Sequence, residues 1–497
     1  MRCFLHRTLS LHKGGNSLLV LVICSLFSFV LYLPALDSYF VAEDLRAVNF
    51  TWSDLAAEGS SHGVSTGFRP GTVMYLVINN LLWERNQVGH HAVAFLLHGL
   101  VGWLTYLVAR QTTHGETTAI LAALFFVGAP VHSEAVIWLA AAANTVSSAF
   151  VSMLGVWLWI NRQGSNVTVG VVAILYIMAM LIKETTIPLP MMFLLLDCVT
   201  GRFHKCNTWK TVICRLVPYW PFVVAFGLYA FLHWQAGVIG RTLRYGLHLG
   251  LDLEQLVKLW GMYARDLFRP LSDFLRWRIG LENWIWLGGG LLLCVVRRAR
   301  WAVVWILLAL TPGATTYGER LTYLAIVGFS MVIAASIVDS VRWVLDRVQN
   351  RILRTTFIGL VVLFLFSLLV ADIRAVHRDA TNWKEAGRLT WSIPRQARDL
   401  APTVPSNAQL FFLDLPDNIG GAYAFRHGLM FEVRRVYGIP DLDVHRVVRG
   451  PDGPEKLSLS SIDCEALVPR FFFRYYPDSD KLRLVNPVEF GLDCPPN

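Results

Sequence analysis

The sequence predicts a polytopic α-helical membrane protein with a small mixed α/β domain at its C-terminal end, and three observations predict it. The 497 residues are 55% hydrophobic and only 16% charged, where a soluble domain carries about 25% charged residues. Apolar runs of bilayer scale recur between residues 17 and 371. Beyond about Asp379 the pattern changes to short strand-like runs broken by proline and glycine. A mean hydropathy of +0.47 agrees. The net charge of +9 does not argue for a nucleic-acid partner. The bases mostly lie in short loops between apolar runs, where orientation in a bilayer explains them.

The first run, from about Ser17 to Leu36, follows Arg2, Arg7 and Lys13, which favours an inside N-terminus. It is too long for a signal-peptide core and no small-residue cleavage site follows, so it reads as a retained anchor. Basic clusters follow at Arg110, at Arg162, at Arg202, Lys205, Lys210 and Arg215, at Arg297, Arg298 and Arg300, and at Arg342, Arg347, Arg351 and Arg354. With all of these inside, spans fall near 17–36, 91–109, 117–131, 137–160, 168–182, 185–198, 216–235, 283–296, 301–315, 321–340 and 355–371. That makes about eleven spans and an outside C-terminus. The stretch from Leu251 to Phe274 carries Asp252, Glu254, Lys258, Arg265, Asp266 and Arg269. Charges at mid-bilayer cost several kcal/mol each, so it reads as an amphipathic helix on the outer surface.

In this topology the ionisable groups gather on one side. Glu43 and Asp44 emerge just beyond the first run. Arg69 follows in the first outside loop. The spans near 117–131 and 168–182 are only about 15 residues, or roughly 22 Å of helix, against a hydrocarbon core about 30 Å thick. The turns that end them, at His132, Ser133 and Glu134 and at Lys183 and Glu184, are therefore recessed below the lipid surface. Glu319, Arg320 and Tyr323 form a further outside turn. Read blandly, these are ion pairs that fix helix packing; read functionally, they frame a groove for a phosphate head group. A transporter or flippase is the alternative class, but it would place such groups near the midplane around broken helices. No internal repeat of that kind is visible.

Cys464 and Cys494 fall in the outside domain and are candidates for a disulfide. The remaining cysteines lie in apolar runs or inside segments, with no ligand spacing that argues for a metal. Asn407 to Pro416 reads as a buried strand with its end turn, and Phe471 to Tyr476 as a second.

Several stretches together resemble a known family. They are Glu43-Asp44, Phe68-Arg-Pro-Gly-Thr-Val73 with Asn79-Asn-Leu-Leu-Trp83, and Gly89-His-His-Ala-Val-Ala-Phe-Leu-Leu-His98. Ala129-Pro-Val-His-Ser-Glu-Ala-Val-Ile-Trp138, Leu181-Ile-Lys-Glu-Thr-Thr-Ile-Pro-Leu-Pro190 and Gly318-Glu-Arg-Leu-Thr-Tyr323 complete the set. In order and spacing they resemble the C-type (GT-C) glycosyltransferases, most closely the transmembrane-and-TPR protein O-mannosyltransferase branch and its bacterial relatives. The likeness runs from about residue 30 to 390. The acidic pair is Glu-Asp where that branch has two aspartates, Ala129 replaces a histidine, and the helical TPR repeats of eukaryotic members are not found.

The resemblance implies a GT-C-like transmembrane domain over 1–378 and an extracytoplasmic α/β domain over 379–497. It implies inverting transfer of mannose, or another hexose or pentose, from a polyprenyl-phosphate donor to a hydroxyl on a protein, glycan or lipid acceptor. Asp44 or Glu43 would be the base. Arg69, Lys183 and Arg320 would hold the donor phosphate, supported by His132, Glu134, Glu184, Glu319 and Tyr323. No metal or other cofactor is needed for a lipid-monophosphate donor, and no nucleic-acid partner is implied. The expected location is a bacterial inner membrane, with the site and the C-terminus facing the periplasm or exterior.

Overall fold

The computed structural model describes residues 15–57, 68–113, 115–203, 209–237, 253–269, 299–313, 317–448, 456–458 and 468–486. Cys464, Cys494 and the span expected near 283–296 lie outside the described residues.

The first apolar run forms α1 (Gly15–Tyr32), which a turn at Leu33–Ala35 closes where Pro34 cannot continue the ladder. The first loop carries α2 (Asp44–Ala47) and α3 (Trp52–Ala57). Next come α4 (Pro70–Trp83), which starts on a proline suited to a first helical turn, and α5 (Gln87–Thr113). A proline, Pro130, separates α6 (Glu116–Gly128) from α7 (Ser133–Ile137), and the pair bends by 48°. After an extended Trp138, α8 (Leu139–Ala141) runs through a π-helical turn at Ala142–Val146 into α9 (Ser147–Ile160). Ser165 caps α10 (Asn166–Ile182) by accepting the Thr168 amide. Four further helices are α11 (Leu189–Val199), α12 (Trp209–Leu216), α13 (Trp220–Gln235) and α14 (Leu253–Leu267). The helical part ends with α15 (Arg300–Leu310), α16 (Tyr323–Arg347) and α17 (Arg351–Leu400).

The chain is a multi-pass helical membrane protein. Among the described residues six helices are long and apolar enough to cross a bilayer, or seven if the bent α6–α7 pair is one span. This is fewer than the eleven segments read from hydropathy. The segments near 168–182 and 301–315 are the shorter apolar helices Asn166–Ile182 and Arg300–Gly313. The segment near 185–198 is the 11-residue α11, roughly 16 Å long. Hydropathy registers such pieces as apolar without fixing where each helix begins and ends.

Small residues let the helices approach closely, as membrane packing requires. A Cβ on Gly99 of α5 would lie 2.7 Å from the Ser25 backbone of α1, and one on Gly328 of α16 would lie 2.7 Å from the Ala302 carbonyl of α15. Within the stretch from Leu251 to Phe274, the described residues Leu253–Leu267 form the amphipathic α14, whose Tyr263 and Asp266 are buried.

The C-terminal part is a mixed five-stranded sheet of order β5-β4-β1-β6-β7. Its strands are β1 (Gln409–Leu413), β4 (Asp443–Val448), β5 (Lys456–Ser458), β6 (Arg470–Tyr476) and β7 (Lys481–Leu484). The central β1 pairs in parallel with both β4 and β6, with Leu410 opposite Val444 and Phe471. It is almost wholly buried, as a strand covered on both faces must be. A small hairpin of β2 (Asn418–Ile419) and β3 (Ala422–Tyr423) leads to α18 (Leu429–Tyr437).

The sheet sits against the helical part through α17, which is one continuous helix of 50 residues. Its apolar first half gives way to a polar second half. Gly387 there lies so close to the first loop that a Cβ would be 2.7 Å from the Tyr39 carbonyl, and Thr390 donates to the Phe40 carbonyl at 2.7 Å.

Candidate active site

Asp44 opens α2 and is 2% exposed. Its Oδ1 accepts the Ala140 amide at 2.7 Å and its Oδ2 the Val41 amide at 3.4 Å. The break at Trp138 leaves the first amides of α8 without intrahelical partners, and Asp44 takes one of them, a stabilising place for a carboxylate. Burial nevertheless pushes its pKa up to about 8, against the pull of these amides. Glu43 is the more open of the two acids, and the Nε2 of His427 stands 3.9 Å from its Oε1.

The expected bases come together, each in a defined pairing. Arg69 precedes α4, and its guanidinium grips Glu184 in a two-pronged pair, with Nε 2.9 Å from Oε2. Against the cost of burial, Arg69 holds Glu184 well below the usual carboxylate range. Arg320 pairs with Glu134 through its side chain, and its backbone amide donates to the same carboxylate at 3.1 Å. The guanidinium also lies 5.1 Å from the Trp138 ring centre.

Lys183 sits between these pairs. It is 4% exposed, and its ammonium donates to the Thr145 hydroxyl. Among the described residues no carboxylate pairs with it. Burial first, then the positive charges of Arg320 and Arg69, bring its pKa down to about 7. Ala140 and Thr145 stand five residues apart on one helical stretch, about 7 Å of rise. The acid contact and the lysine contact are thus set on neighbouring turns, with Thr145 inside the π-helical turn. Such turns are frequent at functional sites.

Beside the Glu134–Arg320 pair opens a cavity of about 750 Å³. The helical part lines it with Glu134, Arg265, Asp266, Arg269, Tyr317 and Glu319; α17 adds Asp379 and Trp383, and the tail adds Gly420, Tyr423 and Arg426. Its charges are largely paired within the wall. Arg269 meets Glu319 at 3.1 Å, Arg265 meets Asp266 at 3.1 Å, and Tyr317 donates to Asp266 at 2.7 Å. The tail completes the wall, since the Tyr423 hydroxyl donates to Glu134 at 3.2 Å. His132 and Tyr323 do not face it. They are buried with His98 and Phe126 in an aromatic cluster, ring centres 4.4 Å apart, and Tyr323 shares a 2.6 Å hydrogen bond with His98. Among the described residues no group of three or more His, Cys, Asp or Glu side chains is placed to hold a metal ion.

The chain is similar to two protein O-mannosyl-transferases. Protein O-mannosyl-transferase Tmtc1 of Drosophila melanogaster is 30% identical over 186 residues, 33% of this chain and 21% of that protein. Protein O-mannosyl-transferase Tmtc2 of the same organism is 28% identical over 225 residues, 39% of this chain and 23% of that protein. The matched region is thus less than a quarter of the length of either relative. No family model matches the chain. Among solved structures, ArnT from Cupriavidus metallidurans bound to undecaprenyl phosphate matches 94% of both chains at 13% identity and a TM-score of 0.43. Archaeal oligosaccharyltransferase AglB from Archaeoglobus fulgidus, in complex with an inhibitory peptide and a dolichol-phosphate, matches 87% of this chain and 65% of its own at 12% identity and a TM-score of 0.47.

Sequence reasoning missed Thr145, Asp266, Tyr423, Arg426 and His427. Asp266 was visible only as a charge on an amphipathic helix. The tail residues carried no local signal, because their place beside Glu43 and Glu134 comes from pairing elements nearly 300 to 400 residues apart in the chain.

Proposed function

We propose that the chain is a GT-C-type glycosyltransferase that moves a sugar from a polyprenyl phosphate to an acceptor hydroxyl at the outer face of the membrane. The observation that carries this reading is the gathering, at one end of the helical bundle, of an acidic pair, three cations and a polar cavity. Two of the cations, Arg69 and Arg320, are held by carboxylates, and the third, Lys183, is left to a neutral hydroxyl.

Donor binding follows from those charges. The leaving group is a lipid phosphate that is anionic before and after transfer. Lys183 would meet it as the cation without a carboxylate partner, and the guanidinium groups of Arg69 and Arg320 would flank it. Glu134 and Glu184 then keep the empty pocket from carrying three uncompensated charges.

The acceptor hydroxyl needs a base as its oxygen attacks the anomeric carbon. Glu43 takes that proton, while the bond from C1 to the phosphate oxygen breaks and the lipid phosphate leaves with the electron pair. A single displacement inverts the anomeric centre. Asp44, buried and holding the first turn of α8, positions Glu43 rather than replacing it. The cavity has matched positive and negative groups and the flat rings of Trp383 and Tyr423, which suits a neutral, hydroxyl-rich group better than an anion.

The test is transfer from polyprenyl-phosphate hexoses and pentoses to a panel of hydroxyl acceptors by the purified chain, read by mass spectrometry. A variant carrying both Glu43→Gln and Asp44→Asn that still transferred at the wild-type rate would refute the mechanism. Binding of the lipid with no transfer of any sugar would refute the activity.

A further inference from the structure

Ala42 has φ of +45°, in the left-handed region that a residue with a side chain rarely enters. It directly precedes Glu43 and Asp44, so the strained turn sets the direction in which the acids leave the chain. The restraint on it comes from the far end of the sequence. The Ala42 amide donates to the Ala424 carbonyl at 3.2 Å. Gly428 is pressed against the same residue: a Cβ there would lie 2.2 Å from the Ala42 carbonyl oxygen and 3.4 Å from the Leu45 Cβ. Gly428 itself has φ of +84°, so both conformation and space require glycine.

His427 stands between these two anchors, with Nε2 3.9 Å from the Glu43 carboxylate. Arg426 before it lines the cavity. One turn further on, the buried Glu432 accepts the Tyr39 hydroxyl at 2.7 Å and pairs with Arg85 at 3.0 Å. The acidic loop is therefore held on both sides, by Ala424 to Gly428 at Ala42 and by Glu432 at Tyr39. Backbone strain persists only where the surroundings over-determine it, and it gathers at functional sites.

We propose that the tail segment from Ala424 to Gly428 is a positioning element of the catalytic centre: it holds the acidic loop in its strained turn and sets His427 against Glu43. The proposal rests on the glycosyltransferase reading above and extends it, because it makes the C-terminal domain part of the turnover machinery. Released from the tail, Ala42 relaxes to negative φ and the Glu43 carboxylate moves off line. A displacement of about 1 Å at a reacting group can cost on the order of 10²-fold in rate.

The experiment compares wild type, Gly428→Ala, His427→Ala and His427→Gln in the full chain, with two readouts. The first is transfer, separated into kcat and KM for the donor. Gly428→Ala lowers kcat by about 10²-fold. His427→Ala lowers it by about tenfold or more, His427→Gln recovers part of that loss, and the donor KM stays within about twofold throughout. The second readout does not depend on activity: carbodiimide labelling of Glu43, followed by peptide mass spectrometry, is faster in Gly428→Ala and His427→Ala than in wild type. His427→Ala makes no demand on the backbone, so it carries the test if Gly428→Ala fails to fold. Wild-type kcat and labelling in His427→Ala overturn the proposal, as does parallel loss of turnover and donor binding. If wild type transfers no sugar, the activity has failed, and the labelling rates alone decide whether the tail holds the acidic loop.

Discussion

Lys183 donates its hydrogen bond to the hydroxyl of Thr145, and this neutral partner makes it unlike the two guanidinium groups beside it. Arg69 and Arg320 each have a carboxylate to hold. Lys183 has burial and two like charges, which bring its pKa from 10.5 down to about 7.

This fixes a pH dependence with a definite sign. Folded Lys183 binds fewer protons than the unfolded chain between about pH 7 and 10.5, so its contribution to stability rises with pH across that window. Donor binding runs the other way. An anion beside the ammonium favours the charged form, so binding takes up a proton and weakens as pH rises above about 7. Titration with undecaprenyl phosphate from pH 6 to 9 should show this slope, and Lys183→Met should bind more weakly and flatten it. An equally steep slope in Lys183→Met would assign the proton to another group.

The two acids should separate in their effects. Glu43→Gln should reduce transfer by about 10²- to 10⁴-fold with little change in melting temperature. Asp44→Asn should also reduce transfer, by disturbing the loop that carries Glu43. Asp44→Ala should in addition cost about 1 kcal/mol of stability, because it removes the acceptor that caps α8. Transfer and thermal melts on the three variants check both halves. Equal melting temperatures for Asp44→Ala and wild type would remove the capping role.

Breaking the Glu134–Arg320 pair from one side should be worse than removing it from both. Glu134 is 10% exposed in its side chain and Arg320 31%, so Arg320→Met leaves a largely buried carboxylate without its counter-charge, held by the residue 320 amide and the Tyr423 hydroxyl, at a cost of about 3 kcal/mol. The double variant with Glu134→Gln should recover much of the stability and none of the activity. A double-mutant cycle with no coupling would contradict the pairing.

Gly328→Val should destabilise the bundle without touching the site. Its side chain would be driven into the Ala302 carbonyl and the Trp305 ring, an overpacking cost of about 1–3 kcal/mol. Melting in detergent should fall while the donor KM of the remaining folded protein is unchanged.

The sequence showed most of the parts and little of their pairing. Charges that hydropathy placed on one side do meet: Arg69 with Glu184, and Arg320 with Glu134. Their order along the chain gave no hint that each base would take its carboxylate from a different turn. His132 and Tyr323 were legible as neighbours of charged residues, while their burial against His98 and Phe126 in the aromatic cluster was not. The strand at Gln409–Leu413 was legible because its burial is continuous and local. Ala42 was not legible at all, since nothing in Val41-Ala42-Glu43 announces a positive φ imposed from residue 428. The span count differs among the described residues because hydropathy reads composition over a window and not the ends of each helix, as at Asn166–Ile182 and Leu189–Val199.

The unbroken run of α17 has a mechanical consequence. At 50 residues it is a rod of roughly 75 Å, rooted in the bundle and carrying the sheet at its far end. The sheet packs on the second half of this rod, where Gln396 accepts the Leu482 amide of β7 at 2.8 Å, so its azimuth follows the phase of the rod. One residue inserted near Asp379 would turn the sheet by about 100° and lift it about 1.5 Å, which carries Ala424 and Gly428 away from Ala42. Four inserted residues nearly restore the phase but leave a gap of about 6 Å. The length of this helix is therefore as much a specification of the site as any side chain within it.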